Sequence, residues 1–463
     1  MARLFGTDGV RGVANTELTC ELAYRLGQAA AVFLGKNIVV GKDTRLSGDM
    51  LESALAAGIM SAGGTELSVG IIPTPAVALL VRELHADGGA VISASHNPPE
   101  YNGIKLFDAE GYKLPDEVED KIGEFIKRGG LEGAAARAEE GADGEDAAAM
   151  LPGDEVGVAL PVDEACEIYI EHAVQSVRAQ GVDFSGMRIA LDTGHGASSL
   201  TSAEAFRRLG AEVIAINEDF DGTDINVNCG STHLEPLAQL MRESGADVGV
   251  AHDGDADRVM LMTPDGTEID GDMVEAVCAL DMKRRGCLPE DTVVSTVMCN
   301  LGFVHAMRDN GITVVQTKVG DRYVLEEMRA KGYAIGGEQS GHVILLHHAT
   351  TGDGELTAGK LLKLLAESGK KMSELNGIYE QYPQVLVNVT ANAAQKAAYK
   401  EDEVLAGFIE NEQQKLMGMG RVLVRVSGTE PKLRVMVEGQ DLEAIHRCAD
   451  RIVEKINKRI LKQ

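Results

Sequence analysis

Apolar runs and polar loops alternate along this chain in a form that recurs three times. Asn37-Ile38-Val39-Val40 leads through Gly41-Lys42-Asp43-Thr44-Arg45 and an alanine-rich helix over about 48–62 to Gly64-Thr65-Glu66-Leu67-Ser68-Val69. Arg188-Ile189-Ala190-Leu191 leads through Asp192-Thr193-Gly194-His195-Gly196 and a helix to Gly210-Ala211-Glu212-Val213-Ile214. Thr292-Val293-Val294-Ser295 leads through Met298-Cys299-Asn300 and a helix to Gly311-Ile312-Thr313-Val314-Val315. Each reads as strand, polar loop, amphipathic helix, glycine stop and strand, a βαβ unit of roughly 30 residues. Three copies predict three related α/β domains with mixed sheets, their polar loops at strand C-termini. The tail differs. Residues 384–389, 421–426 and 433–437 alternate like half-buried strands, and Leu442, Ile445, Cys448, Ile452, Ile456 and Ile460 form one helical stripe. This predicts a small two-layer α+β domain joined near Tyr382-Pro383.

The expected divisions are 1–160, 161–264, 265–378 and 379–463. A chain of 463 residues is too long for one core, in keeping with several domains. Leu131 to Gly157 is rich in Ala, Gly, Glu and Asp and poor in large apolar residues, so it reads as an exposed insertion. With 72 acidic against 44 basic residues, the net charge of -28 argues against nucleic acid and anionic membranes as partners. Seven scattered cysteines without a CxxC pair read as reduced, mostly buried thiols. A glycine-rich motif stands within a few residues of Met1, leaving no room for a signal peptide, and no apolar run reaches membrane-helix length. The expected location is the cytoplasm. In so acidic a chain, each arginine or lysine inside a motif is informative.

Ala90-Val91-Ile92 reads as a buried strand that delivers an exposed Ser95 into the turn His96-Asn97-Pro98. Asp253, Asp255 and Asp257 alternate just after the apolar run 248–251 and can turn toward one point as hard oxygen ligands for Mg²⁺. An EF-hand fails here, because Arg258 stands where its glycine belongs and Pro264 where its glutamate belongs. Arg425, Ser427, Gly428 and Thr429, with Arg434 beyond, suit an anion in a turn between tail strands. Glu338, Gln339, Ser340 and His342 sit on a glycine-rich loop and can hydrogen-bond sugar hydroxyls. Nearby, Lys318 ends a strand. Phe5 to Gly12 reads as a loop aiming Arg11 at an anion, and the GxxxxGK match at 354–360 reads as helix because Leu361 replaces the metal-binding hydroxyl.

Taken together these residues resemble the α-D-phosphohexomutase superfamily over nearly the whole chain. The resemblance rests on Ser95-His96-Asn97-Pro98, the DGDADR loop at 253–258, the GEQSGH loop at 337–342 and RVSGTEP at 425–431. FGTDGVRG at 5–12, Gln339 and the 226–233 segment look like the phosphoglucosamine mutases within it. The resemblance implies four domains around a central cleft and interconversion of glucosamine 6-phosphate and glucosamine 1-phosphate, feeding UDP-N-acetylglucosamine synthesis. It implies that Ser95 carries a phosphoryl group and that Asp253, Asp255 and Asp257 with that phosphate hold one Mg²⁺ per chain. Glucosamine or glucose 1,6-bisphosphate would act as primer. Arg11 and Arg258 would be electrostatic clamps, Lys105 and His342 candidates for proton transfer, and Glu338, Gln339 and Ser340 sugar contacts. Lys318, Arg425, Ser427, Gly428, Thr429 and Arg434 would address the distal phosphate, in a monomer or homodimer. The alternatives are a phosphomannomutase/phosphoglucomutase, a Mg²⁺-dependent phosphatase using Asp253, and a sugar-phosphate sensor. Two departures stand out: the 131–157 insertion and Thr193-Gly194-His195-Gly196 in the second domain.

Overall fold

Alternation within β-strands sets the layers of the first sheet. The computed structural model describes residues 3–6, 8–133, 151–178, 182–416, 418–427 and 431–461, so most of the acidic insertion lies outside the described residues. The first sheet contains β1 (Val10–Val13), β2 (Asn37–Lys42), β3 (Thr65–Ile71), β4 (Gly88–Ile92), β5 (Tyr101–Phe107) and β6 (Ala159–Pro161), in the spatial order β1-β5-β4-β2-β3-β6. β2 runs parallel to β3 and β4, whereas β5 is antiparallel to both β4 and β1. Ile38, Val40, Ala90 and Ile92 face one apolar cluster, and Val39 and Val91 face another on the opposite side. Helices cover both faces, which is why these strands are apolar throughout.

Two of those helices, Cys20–Phe33 and Gly48–Ser61, cross unusually closely. A Cβ on Gly58 would lie 1.9 Å from the Tyr24 carbonyl oxygen, and one on Gly27 2.1 Å from that of Leu55. The first helix starts at Thr19, whose hydroxyl accepts from the Leu22 amide at 3.2 Å.

The second and third sheets repeat the plan. β7 (Arg188–Asp192), β8 (Glu212–Ile216), β9 (Val248–His252), β10 (Val259–Met262) and β11 (Glu268–Ile269) lie in the order β11-β10-β9-β7-β8. β12 (Thr292–Thr296), β13 (Thr313–Thr317), β14 (Ile335–Gly337) and β15 (Val343–Leu345) lie in the order β13-β12-β14-β15. In all three sheets a βαβ strand pair runs parallel, a third parallel strand joins on the far side, and an antiparallel fourth follows it. The helix expected over 48–62 is present, as is the one at 354–360, which belongs to Gly354–Ser368. One reading needs correction: Arg11 is on a strand, not a loop. It sits in β1 opposite Gly103 of β5, where antiparallel pairing with a neighbour distant in sequence fixes it.

These three sheets belong to one compact unit, Met1–Met298 with Gly311–Ile378, and a second unit comprises Cys299–Asn310 with Tyr379–Gln463. In the second, β16 (Gln384–Thr390), β17 (Gly420–Val426) and β18 (Lys432–Gly439) form an antiparallel sheet in the order β16-β18-β17. Helix Leu442–Ile456 covers it with Ile445, Cys448, Ile452 and Ile456, while Leu442 is exposed and drops out of the expected stripe. Helix Leu301–Asp309, between β12 and β13 in sequence, packs with this tail. The Asn300 side chain exchanges hydrogen bonds of 3.0 Å with both the Tyr382 carbonyl and amide, and Phe303 meets Tyr379 at 6.2 Å between ring centroids.

Candidate active site

Ser95 follows β4 but is only 1% exposed, which corrects the expectation of an exposed serine. The cause is the set of groups that fold the loop inward. Buried Arg45 donates to the carbonyls of Ser95 (2.9 Å), Asn97 (2.7 Å) and Tyr101 (3.0 Å). Its Nε is held by Asp43 at 2.9 Å, and Asp43 also accepts from Ser93 Oγ at 2.6 Å. Ser93 Oγ in turn accepts from the Ser95 amide at 2.9 Å. From the second sheet's loops, Asn226 Nδ2 donates to the same Ser95 carbonyl at 2.9 Å. Ser95 itself has φ 53°, a left-handed conformation that costs a non-glycine residue and persists only where surroundings over-determine it.

The acidic loop between β9 and β10 meets this serine. Ser95 Oγ donates to Asp253 Oδ2 at 2.6 Å. Asp253, Asp255 and Asp257 are buried, and one oxygen from each lies within 4.8 Å of the others. Asp255 Oδ2 accepts from Thr74 Oγ1 at 2.7 Å and from Lys105 Nζ at 2.8 Å. Its Oδ1 is buried without a hydrogen-bond partner among the described residues, and Asp257 Oδ1 has only His342 Nδ1 at 3.6 Å and Arg258 Nε at 3.8 Å. Buried carboxylate oxygens left this bare fit a hard divalent cation, which these three residues can hold. Burial, then Asp257 and Asp255, push the Asp253 carboxyl up to about 8. Asp257 goes the other way: burial opposes its charge, but Lys105 and His342 outweigh it and hold the group well below the usual carboxylate range.

Cations and acids surround the triad. Lys105 is 1% exposed and lies 3.6 Å from both Asp8 and Asp257; against burial, Asp255 and Asp257 raise its pKa. Lys113 pairs with Asp8 at 2.7 Å and with Asp321, and Asp8 also pairs with Arg11. His342 Nε2 is 3.5 Å from Asp321 and accepts from the Gly352 amide at 3.1 Å. Burial lowers the His342 pKa, yet Asp257 and Asp321 prevail and raise it. The His342 ring therefore stands against the acidic loop, while its carbonyl accepts from the Glu338 amide at 2.9 Å. Asp8, Asp43, Arg45, Thr74, Lys113, Asn226 and Asp321 escaped the sequence reading as functional groups. For Arg45 the only available signal was its place in the polar loop after β2.

The 338–342 loop closes the β14–β15 hairpin. Glu338 accepts from the Gly320 amide at 3.1 Å, and Gln339 Nε2 donates to Asp270 Oδ2 at 3.0 Å. Ser340 is exposed, and so is Lys318, whose Nζ lies 5.7 Å from the Tyr323 ring centroid. In the second unit Arg425 faces Arg434 directly across β17 and β18, and buried Ser427 donates its amide to the Lys432 carbonyl at 2.9 Å. Gly428 and Thr429 lie outside the described residues.

Models of the phosphoglucomutase/phosphomannomutase family match in four pieces. They are alpha/beta/alpha domain I over residues 2–132, domain II over 167–266, domain III over 270–382 and the C-terminal domain over 386–455. Phosphoglucosamine mutase from Thermoanaerobacter sp. (strain X514) is 51% identical, covering 99% of this chain and 100% of that one. The chain belongs to the phosphoglucosamine mutases. Phosphoglucosamine mutase from Clostridium tetani is 49% identical with 99% and 100% coverage. Membership makes this an isomerase of the phosphohexomutase superfamily, with the family's α/β domains. Among solved structures, a phosphoglucomutase/phosphomannomutase family protein from Burkholderia thailandensis shares the fold with TM-score 0.79 at 24% identity, covering 98% of each chain. N-acetylphosphoglucosamine mutase from Aspergillus fumigatus, solved with GlcNAc-6P and magnesium, does so with TM-score 0.68 at 17% identity, covering 99% of this chain and 96% of that one. No helix among the described residues is long and apolar enough to cross a membrane.

Proposed function

We propose that this mutase interconverts glucosamine 6-phosphate and glucosamine 1-phosphate in the cytoplasm, through a phosphoserine at Ser95 and a glucosamine 1,6-bisphosphate intermediate that also serves as primer. The carrying observation is Ser95 Oγ at 2.6 Å from Asp253 within a buried carboxylate triad. In the forward step the P–O bond at Ser95 breaks and a new P–O bond forms to the free sugar hydroxyl, whose proton leaves to a base. The bisphosphate turns over, and its other phosphoryl group returns to Ser95. Asp253, Asp255 and Asp257 would hold Mg²⁺, one per chain, which supplies positive charge beside the transferring phosphoryl group. Arg11 and Arg258 clamp the charge developing on the phosphate.

Lys105 and His342 are the proposed proton carriers. Against burial, neighbouring carboxylates raise the pKa of both, which makes either a stronger base for the proton that leaves the sugar hydroxyl. Glu338 and Ser340 are assigned to sugar hydroxyls, with Lys318 and the Arg425, Ser427, Gly428, Thr429 and Arg434 set assigned to the distal phosphate. Two arginines opposite each other on one sheet face support an anionic ligand there.

The test is time-resolved phosphorus NMR of glucosamine 6-phosphate with enzyme, Mg²⁺ and catalytic bisphosphate. The 1-phosphate should appear with the parent enzyme, phosphate should map to Ser95 and not Ser93, and Ser95→Ala should be inactive. Mg²⁺ should also raise the melting temperature of the parent but not of Asp257→Asn, by mass action on the folded state. Full activity in Ser95→Ala sinks the mechanism, and better turnover of glucose or mannose phosphates moves the substrate assignment.

A further inference from the structure

At the end of the β14–β15 hairpin opposite the 338–342 loop, Ala334 and Leu345 line a cavity of about 190 Å³. Its other walls are the C-terminal half of helix Gly271–Arg284 and the face of helix Gly354–Ser368 that carries Lys360, Lys363 and Leu364. The cavity lies apart from the Ser95 site and shares no residue with it.

Its polar groups are unbalanced. Lys363 makes no hydrogen bond or close ion pair with a described residue, although the Glu367 and Asp281 carboxylates lie near enough to act on its charge. Among the described residues, Lys360 Nζ donates only to the Ser176 carbonyl, at 2.6 Å. The acid on the wall, Asp281, is already held by Arg284 at 2.5 Å and Arg285 at 2.6 Å, and Arg285 also pairs with Glu367. His347 and His348 complete the polar wall. Burial lowers the pKa of Lys363 and takes Lys360 down to about 8, with the neighbouring lysine adding to the latter. Burial, then Lys360 among nearby cations, takes His348 down to about 4. Three cations, Lys360, Lys363 and Arg285, thus line the cavity against one wall carboxylate, Asp281, and an anion entering among them would balance the excess. Met282, Leu345 and Leu364 make the rest of the wall apolar and offer nothing to the hydroxyls of a sugar phosphate.

The cavity shares its supports with the 338–342 loop. The amide of Gly271, at the start of the same helix, donates to the Gln339 carbonyl at 3.0 Å, and Asp270 accepts from the Gln339 amide side chain at 3.0 Å.

We propose that this cavity is a second ligand site, for a small organic anion with a compact apolar body, and that its occupant acts on the 338–342 loop. The second clause rests on the reading of that loop as the sugar contact. The probes are benzoate and its neutral analogue benzamide, titrated calorimetrically into the full chain. Benzoate should bind saturably and benzamide about tenfold more weakly or not at all. Lys363→Met should melt like the parent or higher and lose benzoate binding by about tenfold, whereas Lys363→Arg should retain it. Equal binding of the two probes, or unchanged binding in Lys363→Met, overturns the site. Benzoate should shift KM for glucosamine 6-phosphate in the parent and leave it unchanged in Lys363→Met. Calorimetric binding with an unmoved KM would leave the site standing and overturn the coupling. Because calorimetry requires no turnover, failure of the proposed activity would not be mistaken for failure of the site.

Discussion

Arg45 is charged, 2% exposed and bonded to four backbone carbonyls between Ser95 and Tyr101, with Asp43 as its counter-ion. Arg45→Met would leave Asp43 buried without its cation and the loop carbonyls without donors. We expect a loss of about 3–5 kcal/mol in stability, together with a fall in kcat greater than any rise in KM. Arg45→Lys should rescue little, since one ammonium cannot span four carbonyls and a carboxylate. Chemical denaturation and steady-state kinetics check both; a stable, fully active Arg45→Met would show that the loop holds itself.

Glu66, on β3 and 3% exposed, gives a pH-dependent expectation. Burial, then the Glu52 carboxylate, push its carboxyl up to about 7, while Lys42 pulls the other way. The fold thus binds this proton more tightly than the unfolded chain does. Its contribution is fully present below the ordinary carboxylate range and is lost as pH rises through about 7. Glu66→Gln should therefore gain on the parent between pH 5 and pH 8, by up to about 3 kcal/mol in denaturant titrations. A difference flat with pH would refute the assignment.

At the scale of elements, three loops occupy one position in three sheets. The Ser95 loop joins β4 to β5, the acidic loop joins β9 to β10, and the 338–342 loop joins β14 to β15. Each links the third parallel strand to the antiparallel fourth, so the repeat places chemistry as well as core. The βαβ pairs were legible in the sequence because strand, polar loop and glycine stop are local signals. The serine and acidic loops were legible because their residues are contiguous. What stayed hidden is long-range: Arg45 lies 50 residues from Ser95, Asn226 131 from it, and Thr74 181 from Asp255. No periodicity encodes such pairings, and burial of Ser95 follows from them. Helix packing was hidden for the same reason, since Gly58 carries no sign of its contact with Tyr24. Gly58→Ala should force the two helices apart at a cost of about 1–3 kcal/mol, read as a lower urea midpoint with an unchanged slope. An unaffected midpoint would mean that the crossing relaxes freely.

For the whole molecule, the net charge of -28 sets the approach of a phosphate dianion against a repulsive field. The site does not reverse it: Arg11, Lys105, Lys113 and Arg258 stand among Asp8, Asp253, Asp255, Asp257 and Asp321. Added salt screens that repulsion, so kcat/KM at saturating Mg²⁺ should rise about two- to threefold between low and physiological ionic strength. A fall would show that local cations dominate the encounter. The discontinuous second unit has a further consequence, during synthesis. Helix Leu301–Asp309 leaves the ribosome well before Tyr379 and Tyr382 exist, so Asn300 and Phe303 must wait for partners from the end of the chain. A chain stopped at residue 378 should then expose an apolar helix face, bind hydrophobic dyes and aggregate. Supplying residues 379–463 as a separate polypeptide should rescue it by complementation.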